Sequence, residues 1–263
     1  GKVKKTRLSE YDSPRQGGLI AVRLMTDENG ETADELIGAN LCNAEDDIIL
    51  VSKHGMSLKF RADDDQLRPM GRQTAGVQGM KFRDGDELLA MDVVWGDSDK
   101  DLFVVTNEGF AKRTALSEYR LQGRNGFGVK AVQLVEGRGF LVGALVVSEE
   151  DQVMAIMTSG KVIRANVNEV KRTGRTTQGV TFAKPEKNDE IISIARNAEA
   201  EDEADGETTT TESSGSASSI QPAQGEPVFE VSTEEPSGMP LVTENSEAIE
   251  RTEESGGEAS DEA

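Results

Sequence analysis

The chain has 263 residues, and its formal net charge of −20 is concentrated at one end. Residues 198–263 hold 19 acidic residues and one basic residue, whereas residues 1–197 hold 30 acidic and 28 basic residues and are near neutral. The longest apolar runs are strand-length, well short of the roughly 20 residues of a membrane span, and the single cysteine excludes an intramolecular disulfide. The composition predicts a soluble protein with a folded part, 1–197, and a disordered acidic tail, 198–263.

The folded part contains four copies of one pattern, near residues 1–45, 46–98, 99–149 and 150–197. Each copy has a turn that ends in glycine, at intervals of 54, 54 and 51 residues; the glycines are Gly1, Gly55, Gly109 and Gly160. A period near 50 residues is typical of propeller-like and solenoid arrays, and the 3.6-residue periodicity of helical repeats is not found. Because the first copy begins at its turn glycine, we expect a piece of a longer polypeptide with further repeats upstream.

Two strands joined by a hairpin are predicted around the turn glycines Gly55, Gly109 and Gly160. In the second copy, the uninterrupted apolar run 48–51 predicts a strand that is covered on both faces, as do 102–105 and 153–157 in later copies. The second strand, 56–61, alternates apolar and polar residues, so one face carries Ser57, Lys59 and Arg61. We expect this basic face to project into solvent or onto a ligand.

Two more strands are predicted after a loop that runs from an arginine to a glycine. The third is predicted at 77–82 and 129–134, and the fourth at 35–39, 87–91, 140–144 and 190–194. The fourth strand has one column of small residues, which are Gly38, Ala90, Gly143 and Ser193. Such a column is expected where strands crowd toward a shared axis. We therefore predict an all-β, propeller-like array in which each repeat provides a four-stranded blade.

Cations recur at fixed places in the repeat. One lies four residues after each turn glycine (Lys5, Lys59, Arg113 and Arg164), and one begins each Arg-to-Gly loop (Arg15, Arg72, Arg124 and Arg175). Cations repeated along a curved surface can follow the phosphates of duplex DNA without reading its sequence. We predict DNA contact by both sets and by Lys2, Lys4, Arg7, Arg61, Lys112 and Lys161. The alternative is that these cations are solvated faces of edge strands, where lysine blocks aggregation.

Catalysis is disfavoured by the residues that are present. The single histidine, His54, lies in a predicted turn, and one histidine with one cysteine provides neither a metal cluster nor a Cys–His pair. A phosphate-binding loop of the form G-x-x-x-x-G-K-[ST] is not found, so we expect no ATP site in this chain. We predict no metal, no cofactor and no small-molecule substrate here.

Over residues 1–197 the chain resembles the C-terminal domain of the A subunit of bacterial DNA gyrase, of the actinobacterial type. The stretches that carry the resemblance are Gly1-Lys2-Val3-Lys4-Lys5, Leu67-Arg68-Pro69-Met70-Gly71-Arg72, Gly76-Val77-Gln78-Gly79-Met80 and Gly109-Phe110-Ala111-Lys112-Arg113-Thr114. The resemblance implies a β-pinwheel, usually of six blades, of which this chain holds about four. Its basic rim would wrap double-stranded DNA without sequence preference and so support ATP-dependent negative supercoiling by the whole type II topoisomerase.

The same resemblance implies the partners and the location of the longer protein. The remainder of the gyrase A polypeptide and the gyrase B polypeptide would complete an A2B2 assembly, in the bacterial cytoplasm at the nucleoid. ATP and Mg would bind elsewhere in that assembly. The strand-cleaving tyrosine of the family lies in its N-terminal portion, and Tyr11 and Tyr119 match no such motif.

The signature of this family, the seven-residue box Gln-Arg-Arg-Gly-Gly-Lys-Gly, is not intact in the chain. The nearest segment is Gln122-Gly123-Arg124-Asn125-Gly126-Phe127-Gly128, in which Gly123 and Phe127 replace two of the three cations. We expect the intact box upstream. The glycines of the degenerate copy either belong to a DNA contact or only permit a tight loop between blades.

The sequence leaves alternatives open for the identity of the repeat region and for the role of the acidic tail. The chain could be the equivalent domain of topoisomerase IV, or a bladed protein-interaction platform of the kelch or WD40 kind. The acidic tail could compete with DNA for the basic rim, or it could only improve solubility.

Overall fold

The computed structural model describes residues 1–12, 17–26, 28–31, 34–83, 85–95 and 99–197, and the predicted acidic tail lies outside these residues. The described residues form thirteen strands and three short 3-10 helices, which confirms the all-β prediction. The strands are β1 (Lys2–Val3), β2 (Asp47–Ser52), β3 (Met56–Arg61), β4 (Val77–Gln78), β5 (Leu88–Val94), β6 (Asp101–Thr106), β7 (Phe110–Ala115), β8 (Val129–Lys130), β9 (Leu141–Val147), β10 (Gln152–Met157), β11 (Val162–Asn166), β12 (Val180–Thr181) and β13 (Ile191–Arg196). The helices are Leu8–Tyr11, Leu116–Glu118 and Val167–Glu169.

The two complete blades are four-stranded antiparallel sheets with the orders β5-β2-β3-β8 and β12-β7-β6-β9. In each, the fourth strand of a repeat pairs with its first strand, and the first pairs with the second through the predicted hairpin. The turn glycines of these hairpins, Gly55 and Gly109, have φ of +82° and +81°, a backbone conformation that favours glycine. The hairpin predictions are confirmed.

The third strand belongs to a different blade from the one predicted. It is only two residues long, and it pairs with the second strand of the preceding repeat: β4 with β1, β8 with β3, and β12 with β7. The expectation that one repeat provides all four strands of its blade was therefore wrong. The exchanged strand pairs with backbone N–H and C=O groups at the outer edge of the neighbouring blade. It thereby links consecutive repeats by hydrogen bonds.

The apolar cores lie between consecutive blades. Ile49 and Val51 point into one core, shared with Leu102 and Val104 of the next repeat, and Leu50 lies in a different core. Likewise Phe103 and Val105 contribute to a third core, with β10. Alternate side chains of each first strand are buried on opposite faces, which explains the uninterrupted apolar runs.

The predicted fourth strand of the first repeat, 35–39, is not a strand. Every other fourth strand pairs with the first strand of its own repeat, and no such partner for 35–39 exists among the described residues. Leu36 and Ile37 accordingly remain exposed.

The fourth strands lie innermost, where β9 packs against both β5 and β13. At Gly143 this packing leaves no room for a side chain, because an added Cβ would lie 2.2 Å from Cγ1 of Ile194. The column of small residues therefore marks close approach of neighbouring blades at this position. The second strands and the exchanged third strands lie at the opposite, outer edge of each sheet.

Candidate nucleic-acid interface

The predicted cations of the second strands lie at the outer edge of the blades, but they differ in exposure. Lys5 and Lys59 are half-buried, Arg113 is buried, and Arg164 is exposed. Lys5 Nζ lies 2.8 Å from Asp64 Oδ1, and Lys59 Nζ donates a hydrogen bond of 3.0 Å to the carbonyl of Leu116. Burial lowers the pKa of Lys59. Both ammonium groups thus contact the covering loop of the next repeat.

Arg113 is the clearest departure from the expected basic face. Its Nη2 lies 3.3 Å from Glu149 Oε1 and its Nε lies 3.4 Å from Asp101 Oδ2. Arg172 approaches the same Asp101 carboxylate at 2.9 Å. The prediction that the cation of this strand projects into solvent was wrong, because the next repeat covers it and an acidic partner compensates its charge.

Lys112, beside it, is also buried, with 2% of its surface exposed. Its ammonium group donates to the carbonyl oxygens of Ala131 and Arg175. Burial lowers the pKa of Lys112 to about 8. Lys4, at the same place in the first repeat, donates to the carbonyl oxygens of Ala21 (2.6 Å) and Arg72. These two lysines bind backbone of the repeats themselves, so the ammonium group of Lys112, for which DNA contact was predicted, is buried in this structure.

The loop arginines hold neighbouring repeats together. Arg72 donates from Nη1 to Ile20 (3.0 Å), Arg124 to Gln78 (2.8 Å) and Arg175 to Lys130 (3.1 Å), in each case to a backbone carbonyl. Each acceptor comes two residues after the loop glycine of the preceding repeat. Arg15, the fourth predicted loop arginine, lies outside the described residues.

The degenerate box packs against the preceding repeat through its backbone. Gln122 N–H donates to Lys59 O (2.8 Å), and Asn125 N–H donates to Gly79 O (2.6 Å). Asn125 and Gly128 have positive φ, and a Cβ at Gly128 would lie 2.1 Å from Ser57 O. These contacts account for Gly128 by loop geometry between blades. The exposed Phe127 ring, in place of a cation, lies under the Arg83 guanidinium at 5.6 Å.

The remaining predicted cations are at least partly accessible. Lys2, Arg7 and Lys161 are exposed, and Arg61 is half-buried. Lys161 Nζ lies 3.5 Å from Glu186, and Arg61 Nε lies 2.8 Å from Asp47.

Two further sets of exposed cations were not predicted. One lies four residues before three of the loop arginines, and the other lies five residues after three of the loop glycines. They are Arg68, Arg120 and Lys171, and Arg23, Lys81 and Lys184. The first set lies where the loop of one repeat crosses the second strand of the repeat before, next to the bridges Lys5–Pro69, Lys59–Leu121 and Arg113–Arg172. The spacings within the first set, 52 and 51 residues, match the period of the repeat, so an alignment of the loops would have found Arg68, Arg120 and Lys171.

No group of three or more metal-ligating side chains occurs among the described residues. Tyr119 is buried, and this burial raises the pKa of its hydroxyl. None of the helices in the described part of the chain is long and apolar enough to cross a membrane.

Comparison with known proteins identifies the repeats. The model of the family described as DNA gyrase C-terminal domain, beta-propeller, matches residues 1–43, 46–94, 100–148 and 151–197. The DNA gyrase A polypeptide of Streptomyces coelicolor is 52% identical over 229 residues, which cover 86% of this chain and 26% of the relative. The DNA gyrase A polypeptide of Mycolicibacterium smegmatis is 48% identical over 204 residues, which cover 78% of this chain and 23% of the relative. The chain thus spans about a quarter of the length of the curated relatives it matches.

Solved structures share the fold. The C-terminal domain of DNA topoisomerase IV superposes with a TM-score of 0.67 at 24% identity, covering 74% of this chain and 58% of that one. A structure of the DNA gyrase A C-terminal domain superposes with a TM-score of 0.64 at 24% identity, and the match covers 74% of this chain and 62% of that one. The predicted β-pinwheel and the actinobacterial resemblance are confirmed. The chain belongs to the DNA gyrase C-terminal domain family.

Proposed function

We propose that this chain binds and wraps double-stranded DNA without sequence preference, as the C-terminal part of a gyrase A polypeptide. The observation that carries the proposal is the recurrence of Arg68, Arg120 and Lys171 at one place in three consecutive repeats, all exposed at the outer edge of the blades. None of the three forms a hydrogen bond or ion pair with another described residue. Their charges are therefore available to a ligand.

A polyanion with regularly spaced charges suits this arrangement. Duplex DNA carries one phosphate per about 1.7 Å of helix axis, and cations that neutralise phosphates release condensed counterions. Arg23, Lys81 and Lys184 extend the array, as do the exposed Lys2, Arg7, Lys161 and Arg164 from the set predicted on sequence. Such contacts position the duplex and leave its bases unread, so preference would come from how readily the DNA bends.

Membership of this family supports a proposal for the role of the longer protein. DNA held by this domain would be presented to the catalytic part of a gyrase, assembled from two A and two B polypeptides in the cytoplasm at the nucleoid. ATP and Mg would act there, in support of negative supercoiling. This chain would contribute the binding surface and no catalytic residue.

Wrapping can be tested by closing nicked circular DNA with ligase in the presence of the protein. A chiral wrap changes the linking number of the sealed product, and the change should disappear as salt rises from about 50 mM to about 200 mM, because the contacts are to phosphates. An unchanged linking number at low salt, with no band shift of linear DNA, would instead favour a protein-interaction platform.

A further inference from the structure

One aromatic side chain lies among the exposed cations at the outer edge of the blades. Phe127 directly precedes the loop glycine Gly128, and 45% of its surface is exposed. The same place in the other loops holds Gly17, Ala75 and Gln178. Only the third loop therefore presents an apolar ring there.

A recurring backbone hydrogen bond fixes this place beside the second set of exposed cations. The N–H group five residues after one loop glycine donates to the carbonyl two residues before the next loop glycine. The three pairs are Arg23 to Thr74 (3.3 Å), Lys81 to Gly126 (2.8 Å) and Gln133 to Thr177 (3.0 Å). Phe127 directly follows the acceptor Gly126, so its backbone lies beside that of Lys81.

The backbone on both sides of Phe127 is packed against the preceding repeat. A Cβ added to Gly126 would lie 3.3 Å from Cδ1 of Leu58, and one added to Gly128 would lie 2.1 Å from the carbonyl oxygen of Ser57. Because both neighbours of Phe127 are fixed in this way, the loop holds the ring at the surface.

The exposure belongs to this position of the loop. Gln178 occupies the same place in the last loop, which packs against β7 of a complete four-stranded sheet. Gln178 is exposed as well. An apolar ring at such a place gains free energy when a ligand removes it from water.

Positive charge surrounds the ring. The guanidinium carbon of Arg83 lies over the ring of Phe127, 5.6 Å from its centroid. Lys81 and Arg83 are exposed, and the exposed Arg120 lies seven residues earlier on the same loop. A phenyl ring among cations suits a ligand that has phosphates on either side of an apolar group, and the grooves of duplex DNA offer this arrangement.

The geometry disfavours insertion of the ring between base pairs. An inserted ring stacks on both of its faces, whereas the Arg83 guanidinium lies over one face of Phe127. Insertion from the minor groove also kinks the duplex toward its major groove, away from the protein, which opposes the curvature of a wrap. The apolar group that a base edge offers is the C5-methyl of thymine, and it lies in the major groove.

We infer that Phe127 contacts the methyl group of a thymine in the major groove of the bound duplex, while Lys81 and Arg83 bind the flanking phosphates. The inference rests on the proposed DNA binding and adds one base-edge contact to it. Phosphate contacts supply most of the affinity, and the ring favours thymine at one place along the path.

A duplex of A·T pairs and its copy with uracil in place of thymine test the inference in band shifts. The exchange removes the C5-methyl groups and keeps the phosphates and the base pairing. At about 0.15 M salt the unsubstituted chain should bind the thymine duplex about fourfold more tightly, the gain expected for one buried methyl group. Phe127→Ala should bind both duplexes equally, because its loss of affinity is confined to the thymine duplex.

Two further variants separate the methyl contact from other effects of the substitution. Phe127→Lys should also bind the two duplexes equally, while its added cation makes the slope of log affinity against log salt steeper by about 1. Phe140→Ala removes a ring that is 39% exposed and has the Lys53 ammonium 4.9 Å from its centroid, but Phe140 directly precedes the inner strand β9. This control should keep the fourfold difference.

A chain that binds neither duplex would refute the proposed function and this inference together. Binding of both duplexes with equal affinity by the unsubstituted chain would overturn the inference alone. A difference that survives in Phe127→Ala, or that disappears in Phe140→Ala as well, would also overturn it. So would a rise in 2-aminopurine fluorescence on binding that requires Phe127, since the ring would then unstack bases.

Discussion

The Arg113 guanidinium Nε lies 3.4 Å from Asp101 Oδ2, with only 6% and 1% of the two side chains exposed. A cation that recurs in register with three others is thus an internal ion pair in one repeat and a surface charge in another. Position in the repeat alone does not separate these two roles. What separates them is whether the following repeat covers the strand.

Arg113→Ala should therefore destabilise the fold. It leaves the buried Asp101 carboxylate, whose pKa burial already raises, with Arg172 as its remaining cation, and removing one partner of a buried pair costs about 3 kcal/mol. Arg164→Ala, at the exposed position of the same column, should change the free energy of unfolding by less than about 0.5 kcal/mol. Urea denaturation measures both. Equal stability of the two variants would refute the assignment.

Because Lys112 is buried, we expect it to make the free energy of unfolding depend on pH. Its folded-state pKa of about 8 is lowered from 10.5, so between these values the unfolded chain binds the proton and the folded chain does not. The penalty of burying the charge is complete below pH 8 and is relieved as pH rises toward 10.5, by up to about 3 kcal/mol. Lys112 should thus make stability rise with pH in this window.

Urea denaturation at about pH 7.5 and about pH 9.5, on either side of the lowered pKa, tests this contribution. In Lys112→Met the gain in stability between the two values should be smaller than in the unsubstituted chain, since the titrating group is gone. Lys161→Met, at an exposed lysine, should leave the gain unchanged. An identical pH profile for Lys112→Met would count against burial as the cause.

Arg124 and Arg120, four residues apart, should separate stability from DNA binding. Arg124 donates from Nε to Gln66 O and from Nη1 to Gln78 O, so Arg124→Ala removes both bonds and should cost about 1–3 kcal/mol. Arg120→Ala should leave unfolding unchanged and weaken DNA binding. Thermal unfolding of both variants measures their stability, and band shifts measure their DNA binding. The reverse pattern would contradict the placement of the two side chains.

Gly143→Ala should destabilise the chain by about 1–3 kcal/mol, because the new methyl group meets Ile194. Ile194→Ala removes the colliding atoms and also costs stability by itself. The double variant should be more stable than the sum of the two single losses predicts, by about 1 kcal/mol or more. Strict additivity would show that the two strands do not press together here.

The sequence was sufficient for much of the fold because the signals were local. Apolar runs with a turn glycine specified the hairpins, and the small column containing Gly143 marked close packing. The exchange of the third strand could not be inferred, since Val77–Gln78 has the same local preference whichever repeat it joins. Burial of Lys112 and Arg113 depends on the loop of the next repeat. The sequence of one strand does not indicate whether such a loop packs over it. Arg68, Arg120 and Lys171 were detectable by their period but lie outside the predicted strands.

The most direct test of the central claim is the salt dependence of DNA affinity for Arg68→Ala/Arg120→Ala/Lys171→Ala. If each cation neutralises one phosphate, the slope of log affinity against log salt should become less steep by about 3, and binding should weaken equally on unrelated sequences. Lys53→Ala/Lys100→Ala/Lys187→Ala removes the same charge away from these columns and should nearly preserve the slope. If the two triple variants lose affinity and slope alike, the repeated outer cations do not form the DNA path.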